Sequence, residues 1–363
     1  MPGSYRKILT ALNLSQESID ISSMDTRFLP NPFRPDFNSL AFFRILAALC
    51  FIGNFSVVST GAAAIFGPFA VSATHGVWAA LMLGSALMIL AGYRTRFFCL
   101  LIWLGLSVPA WLDPSAMHPA LIWRSLFFWC LFLPLGVHYS ADEALDLDES
   151  HEKSPAISAA TIGFACHFVL LLFWAPRPLL LVWAAAFLPG EIWPRLKPFF
   201  VSTEPSRIFY DGTCGFCKRM TSLLRTFLFL PEGSMRPAQE MPEIAAQMER
   251  ENSWVVVDAR GRMHTKFDAF LTLLPHVHLF APLAVLLRVQ PLEAWGTRAY
   301  EHVSNHRGGY SRITSWLSWR PLDLALTRGQ TILATAGLII LAGMIVLPGA
   351  GLIRFAAALL GFI

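Results

Sequence analysis

Arg207-Ile-Phe-Tyr-Asp-Gly-Thr-Cys-Gly-Phe-Cys-Lys-Arg-Met220 is the stretch on which the reading of this chain turns. Arg207 to Tyr210 reads as a short strand ending at Asp211-Gly212, and the chain then passes through Cys214-x-x-Cys217 into a helical pattern. Met220, Leu223, Leu224, Phe227 and Leu228 recur at i, i+3, i+4, i+7 and i+8, which is one face of a helix. The two cysteines are therefore expected where a strand meets a helix N-terminus. There the unpaired backbone N–H groups and the macrodipole favour a thiolate over a thiol. Lys218 and Arg219 add positive charge close by. A thiolate with a second thiol one turn away is the minimum apparatus for disulfide exchange: Cys214 attacks and Cys217 resolves the mixed disulfide. Asp211, just before the turn, is expected to act as general base for the resolving proton or to cap the helix.

One Cys-x-x-Cys is also half of a zinc site, and His264, His276 or His278 would have to complete it. Zinc motifs usually show a second close ligand pair, whereas His276-x-His278 is too tight for a helical pair and lies far downstream. A structural disulfide here would close a tiny loop and stabilise little. Redox chemistry is the preferred reading, and no metal is expected.

From Glu204 to about Ile313 the composition is that of a globular domain. The helix after Cys214 runs to about Phe229 and is broken at Pro231-Glu-Gly233. Met235-Arg-Pro237 is a second short strand, and Pro242 to Glu251 reads as a helix. Trp254-Val-Val-Val-Asp258 is the strongest strand signal of the chain. Ala259 to Arg262 turns it into Met263–Lys266. Phe267 to Leu274 is helical, with further amphipathic helix to about Arg307. The order β-Cys-x-x-Cys-α-β-α-β-β-α is that of a thioredoxin-like fold, in a domain of about 110 residues, enough for one core.

The rest of the chain is far more apolar. Across 363 residues, 55% are hydrophobic and 14% charged, with a mean hydropathy of +0.52, too apolar for an ordinary soluble protein. Apolar stretches run from about Ser39 to Ser59, Phe69 to Gly92, Phe97 to Trp111, Ala120 to Gly136, Ala156 to Ala175 and Pro178 to Trp193. Gln330 to Leu347 and Ala350 to Ile363 close the chain. Several are shorter than the roughly 20 residues that cross a bilayer upright, and about six to eight spans are expected. The fold class is thus a multi-pass α-helical membrane protein with an inserted α/β thioredoxin-like domain. Residues 1–37 form a polar N-terminal arm without a signal-peptide pattern. Residues 38–196 and 328–363 are assigned to transmembrane helices, and 205–313 to the inserted domain.

Arg27 and Arg34, Arg94 and Arg96, Arg195 and Lys197, and Arg320 and Arg328 fall on one side if every stretch crosses. By the positive-inside rule that side is cytoplasmic, which places the protein in the cell (inner) membrane with its Cys pair facing the cytosol. The loop from His138 to Ser154 lies on the same side but is acidic. The net charge of +4 gives nucleic acid no support as a partner.

Phe-Tyr-Asp-Gly-Thr-Cys-Gly-Phe-Cys-Lys-Arg resembles the Asp-Gly-x-Cys-x-x-Cys signature of the DCC family of thiol-disulfide oxidoreductases. Trp254–Asp258, Phe267-Asp-Ala-Phe270 and Tyr300-Glu-His-Val-Ser-Asn-His-Arg307 extend the resemblance over 205–313 in family order. It implies a thioredoxin-like fold with Asp211, Cys214 and Cys217 on the motif positions. One departure is that thioredoxins carry a cis-proline before the strand facing the Cys pair, whereas here Asn252-Ser253 precedes Trp254. Leu112 to Gly136 resembles the HTTM domain, which includes the vitamin K-dependent γ-glutamyl carboxylases and is often fused to DCC domains. No lysine stands mid-stretch, so a carboxylase using an intramembrane lysine is not expected.

Arg44, His75, Arg124 and His167 fall inside or near the ends of apolar stretches. Arg44 is expected to snorkel to the surface, and Arg124 to pair at the interface with the loop holding Asp113 and His118. His75 and His167 are candidates to line a cofactor or substrate cavity. Cys50, Cys99, Cys130 and Cys166 are spaced singly and read as small apolar residues. The preferred function is a membrane-anchored thiol-disulfide oxidoreductase, with membrane lipid and a thiol/disulfide protein or small-molecule redox partner. One alternative is an HTTM enzyme acting on a lipid or quinone-like substrate bound in the membrane part, with the thiol domain as electron donor. Another is a non-enzymatic assembly or scaffolding module.

Overall fold

The computed structural model describes residues 36–58, 73–112, 120–145, 155–172, 177–202, 206–317, 328–346 and 356, which fall in one compact unit. The N-terminal arm before Asp36, the loop with Asp113 and His118, Arg320 and most of the stretch from Ala350 lie outside the described residues.

Among the described residues eight α-helices come first: α1 Phe37–Gly53, α2 Ala73–Ala91, α3 Thr95–Leu112, α4 Leu121–Cys130, the single turn α5 Ala141–Ala144, α6 Pro155–Leu171, α7 Arg177–Ala185 and α8 Trp193–Phe200. The inserted part follows as β1 Arg207–Tyr210, α9 Gly215–Phe227, β2 Met235–Pro237, α10 Pro242–Glu251, β3 Val255–Val257, β4 Met263–Thr265, α11 Lys266–Leu273, α12 Ala281–Leu287, α13 Leu292–Asn305 and α14 Arg307–Leu317. A last helix, α15, spans Arg328–Val346.

Asp36 opens α1 by accepting the Ser39 amide at 3.0 Å, an N-cap bond. Helices α1, α2 and α6 are apolar around their whole circumference and have no strongly preferred face. With α3, α4, α7 and α15 they close around one core, in which Phe43, Phe51, Trp123, Trp129 and Trp183 are fully buried. Among the described residues no single helix is long and apolar enough to cross a bilayer. Leu179–Ala185 with Gly190–Phe200 reaches that length only as a pair bent by 94°. The multi-pass expectation accordingly stays with the hydropathy of the sequence.

Arg44 corrects one expectation. It does not snorkel; it is 1% exposed and donates from Nη1 to the carbonyls of Leu135 (2.7 Å) and His138 (3.3 Å) and from Nη2 to that of Tyr139 (2.7 Å). The apolar stretch Ala120–Gly136 leaves helix at Cys130, and the guanidinium gathers the carbonyls that the following turns leave without helical partners. The acidic loop also has work to do. Asp142 accepts the amides of Arg94 (2.6 Å) and Thr95 (3.1 Å) at the start of α3.

The inserted part folds around a four-stranded sheet in the order β2-β1-β3-β4. β1 runs parallel to β2, with Ile208 opposite Met235, and antiparallel to β3, with Ile208 opposite Val256; β3 is antiparallel to β4. Successive strand residues point to opposite faces. Ile208 and Val256 therefore pack with Leu228 and Leu271 on one side, and Phe209 and Val255 with Ile244 on the other. This places α9 and α11 on one face and α10 on the second. Asn252 ends α10 in the left-handed region (φ 49°), which asparagine tolerates. The domain rests on the helical part through an Arg225–Glu143 ion pair at 3.6 Å and the Tyr139 and Phe229 rings, 4.7 Å apart. The Ser202 amide also bonds the His276 carbonyl at 2.7 Å.

Candidate functional site: a dithiol beside an apolar cavity

β1 delivers the chain to Asp211, whose Oδ1 accepts the Thr213 amide (2.9 Å), the Thr213 hydroxyl (2.7 Å) and Gln239 Nε2 (3.0 Å). These bonds fold an Asx turn that sets the start of α9. The helix cap is not Asp211 but Cys214, whose Sγ accepts the Cys217 amide at 3.3 Å. The sulfurs of Cys214 and Cys217 lie 2.6 Å apart, and both are free thiols. Of the two charges adjacent in sequence, Lys218 points outward, while Arg219 donates to Thr314 Oγ1 at 3.3 Å and holds α14 against α9.

The two thiols are unequal. Burial, the hydrogen bond with Cys214 and the charge of Cys214 push the Cys217 thiol up to about 12; Arg307 opposes this and Asp211 adds to it. Cys217 keeps its proton, and Cys214 is the sulfur that stands at the helix N-terminus. Burial pushes the Asp211 carboxyl up, but the bonds from Thr213 and Gln239 and the charge of Arg307 outweigh it and hold the group below its ordinary range.

A cavity of about 370 Å³ opens beside Cys217, between α9, α11 and α13. Its walls are largely apolar, with Phe216, Trp254, Phe267, Phe270 and Trp295 among them, and Asp211, Thr221, Ser253, Tyr300, Ser304 and Arg307 supply polar groups. Arg307 Nη2 bonds the Asn252 carbonyl (2.7 Å) and Ser304 Oγ (3.0 Å). The Tyr300 hydroxyl lies 3.1 Å from Ser253 Oγ. Arg307 and Tyr300 were not singled out for a role in the sequence. The available signal was the run Gly296, Tyr300, Val303 and Arg307, which recurs at helical spacing and lines the cavity.

The two candidate histidines lie elsewhere. The His75 ring stacks 5.8 Å from Trp78, and His167, 4% exposed, lies 5.5 Å from the Trp183 ring; neither lines this cavity. His264 sits between Asp268 (2.6 Å) and Asp258 (3.4 Å), and His278 Nδ1 is 3.0 Å from the Phe199 carbonyl. Among the described residues no group of three or more His, Cys, Asp and Glu is arranged to hold a metal. Cys99 and Cys130, single in sequence, are neighbours in space.

A four-stranded mixed sheet that presents a Cys-x-x-Cys pair at the first helix N-terminus defines a dithiol domain suited to two-electron exchange. Residues 208–312 match the family model of the DCC1-like thiol-disulfide oxidoreductases, a family whose activity is thiol redox chemistry. That match does not extend to the helical part. No curated protein and no solved structure matches the chain.

Proposed function

We propose that the chain is a membrane-anchored thiol-disulfide oxidoreductase with its dithiol facing the cytoplasm. The observation that carries the redox reading is the pair itself: two sulfurs 2.6 Å apart, one capping a helix and the other half-buried and holding its proton. The Cys214 thiolate attacks a substrate disulfide, forming Cys214–S–S–R and releasing the other half as thiolate. That mixed disulfide removes the Cys214 charge and hydrogen bond, two of the causes holding the Cys217 proton. Cys217 then ionises beside Arg307 and attacks Cys214 Sγ, which closes the internal disulfide and releases the second thiolate. Two electrons reach the substrate. Asp211 is assigned to positioning. Its Oδ1 is committed to Thr213 and Gln239, and these bonds hold the carboxyl below its ordinary range, which makes it a weak proton acceptor.

Membrane attachment through residues 38–196 and 328–363, an HTTM-like part, is supported by the outer surface of the helical core. Val77 and Ile332 are each about 70% exposed on helices that are apolar around their whole circumference. Such a surface suits lipid. The cytoplasmic orientation is supported by the connection carrying Arg94 and Arg96, which Asp142 ties to the loop on which residues 205–313 dock. The expected partner is a protein thiol or disulfide.

The test is exchange with hydroxyethyl disulfide by the purified full chain. Cys214→Ser is expected to abolish it and Cys217→Ser to accumulate mixed disulfides. Exchange that survives Cys214→Ser would overturn the assignment.

A further inference from the structure

Cys217 lines the cavity and Cys214 does not. The dithiol therefore has two approaches, one at the helix N-terminus and one from inside the domain. The inner approach has definite chemistry. At about 370 Å³ it lies in the range of small-molecule sites and has no room for a folded partner. Its wall is mostly apolar, which disfavours a polar tripeptide-like thiol. Arg307 is the one cation among its described lining residues, and it forms no ion pair with any described residue. Only its Nη2 is engaged, by a carbonyl and a hydroxyl. The carboxylate at the same end, Asp211, has its Oδ1 committed to Thr213 and Gln239. A half-buried guanidinium beside apolar walls recovers its desolvation cost when a ligand carboxylate meets its planar donors.

We propose that this cavity binds a small, largely apolar dithiol or disulfide bearing one carboxylate, held by Arg307 with its sulfur against Cys217. The proposal rests on the oxidoreductase reading of the pair and adds a substrate class and a second route of attack. With the pair oxidised, a substrate thiolate in the cavity attacks Cys217 Sγ. The Cys214–Cys217 bond breaks, and Cys214 leaves as a thiolate at the helix N-terminus, where that charge is best accommodated. The second substrate thiol then attacks its own mixed-disulfide sulfur, closing the substrate disulfide and releasing Cys217. Two electrons pass to the pair; one substrate thiol proton ends on Cys217, and the other, lost when the attacking thiolate formed, goes to solvent while Cys214 stays a thiolate. The reverse sequence reduces the substrate disulfide.

Dihydrolipoate and its neutral amide, dihydrolipoamide, are suitable probes, with dithiothreitol as a small polar control. The rate of reduction of the oxidised full chain is followed by thiol alkylation. Dihydrolipoate is expected to saturate and to be preferred over dihydrolipoamide by about tenfold or more, as one charged hydrogen-bonded contact provides. Arg307→Gln should bring that ratio close to one. Ala299→Trp, which fills the cavity from α13, should lower the dihydrolipoate rate relative to dithiothreitol by about tenfold or more. A ratio near one in the native chain, or a preference that survives Arg307→Gln, overturns the proposal. Calorimetry of oxidised lipoate with the Cys214→Ser, Cys217→Ser double variant separates the two readings. Binding there that Ala299→Trp removes supports the cavity site even if the pair never cycles. Absent binding overturns the site, while reduction by dithiothreitol still reports on the redox reading.

Discussion

Replacing Asp211 by Asn decides whether that carboxylate moves the resolving proton or shapes the turn. The amide keeps an oxygen where Oδ1 accepts from Thr213 and Gln239, and removes the charge. Exchanging a charged acceptor for a neutral one forfeits up to about 1 kcal/mol per bond. The three bonds are exposed, so the expected loss of stability is about 1–2 kcal/mol in total. The pH dependence has a definite sign. A carboxyl held below its ordinary range in the folded state stabilises it at pH values above the unfolded-state range, and that contribution disappears as the pH falls through the depressed value. The variant should therefore lose less stability on acidification than the native chain. Chemistry should move the other way. Asp211 is among the groups raising the Cys217 thiol, so its loss lets that thiol ionise more readily. Release of the bound half from a preformed Cys214–thionitrobenzoate mixed disulfide should then be about twofold faster at neutral pH, with its rising limb displaced to lower pH. Single-turnover absorbance of released thionitrobenzoate measures this directly. A general base would instead cost about a hundredfold to ten-thousandfold. A loss of that size, with the fold intact, would refute the positioning role.

Gly296 on α13 faces the Phe267 ring, and a Cβ there would fall onto its ring atoms. Gly296→Ala should thus destabilise by about 1 kcal/mol on thermal denaturation, because overpacking outweighs the ~1 kcal/mol gained in helix propensity. The Arg225–Glu143 pair, 3.6 Å apart and partly exposed, should show a coupling of about 0.5–1 kcal/mol in an Arg225→Ala, Glu143→Gln double-mutant cycle. Zero coupling would mean that the rings of Tyr139 and Phe229 carry this contact.

The inserted domain was readable from local pattern. Arg207–Tyr210, Met235–Pro237 and Pro242–Glu251 form the expected elements, because each is a short run of one period bounded by Asp-Gly, Pro or Asn. Cys214 as the point where helix begins was legible for the same reason. Arg307 and Tyr300 were not, because their importance depends on α13 and the start of α14 returning beside α9, a matter of tertiary packing. In the helical part hydropathy marks apolar stretches but not where each helix ends. Apolar residues such as Leu133 and Leu135 continue after α4 ends at Cys130, so an apolar run overstates helix length. Arg44 read as a surface residue because no local pattern announces that three carbonyls from residues 135–139 converge on it. The acidic loop, at odds with the charge rule, follows from Asp142 starting α3 and Glu143 receiving the inserted domain.

The missing proline before Trp254 now has a structural counterpart. An extended peptide docks by pairing with free backbone groups on an edge beside the reactive pair. Here that backbone is already engaged. The Asn252 carbonyl accepts both Arg307 Nη2 (2.7 Å) and Ser304 Oγ (2.6 Å), and the Trp254 amide is 3.4 Å from the Tyr300 hydroxyl. Ser253 Oγ takes the Lys266 amide at 2.6 Å, which fixes the start of α11. A peptide laid along this segment would have to displace Arg307 and Tyr300 together, leaving a half-buried guanidinium and a half-buried phenol without these partners. At about 1–3 kcal/mol for each such group, that cost exceeds what one or two new backbone bonds return. The same residues that close the segment to a strand form the polar end of the cavity. Recognition at this dithiol is therefore directed away from extended chains, toward what the cavity holds and what reaches Cys214 at the helix end.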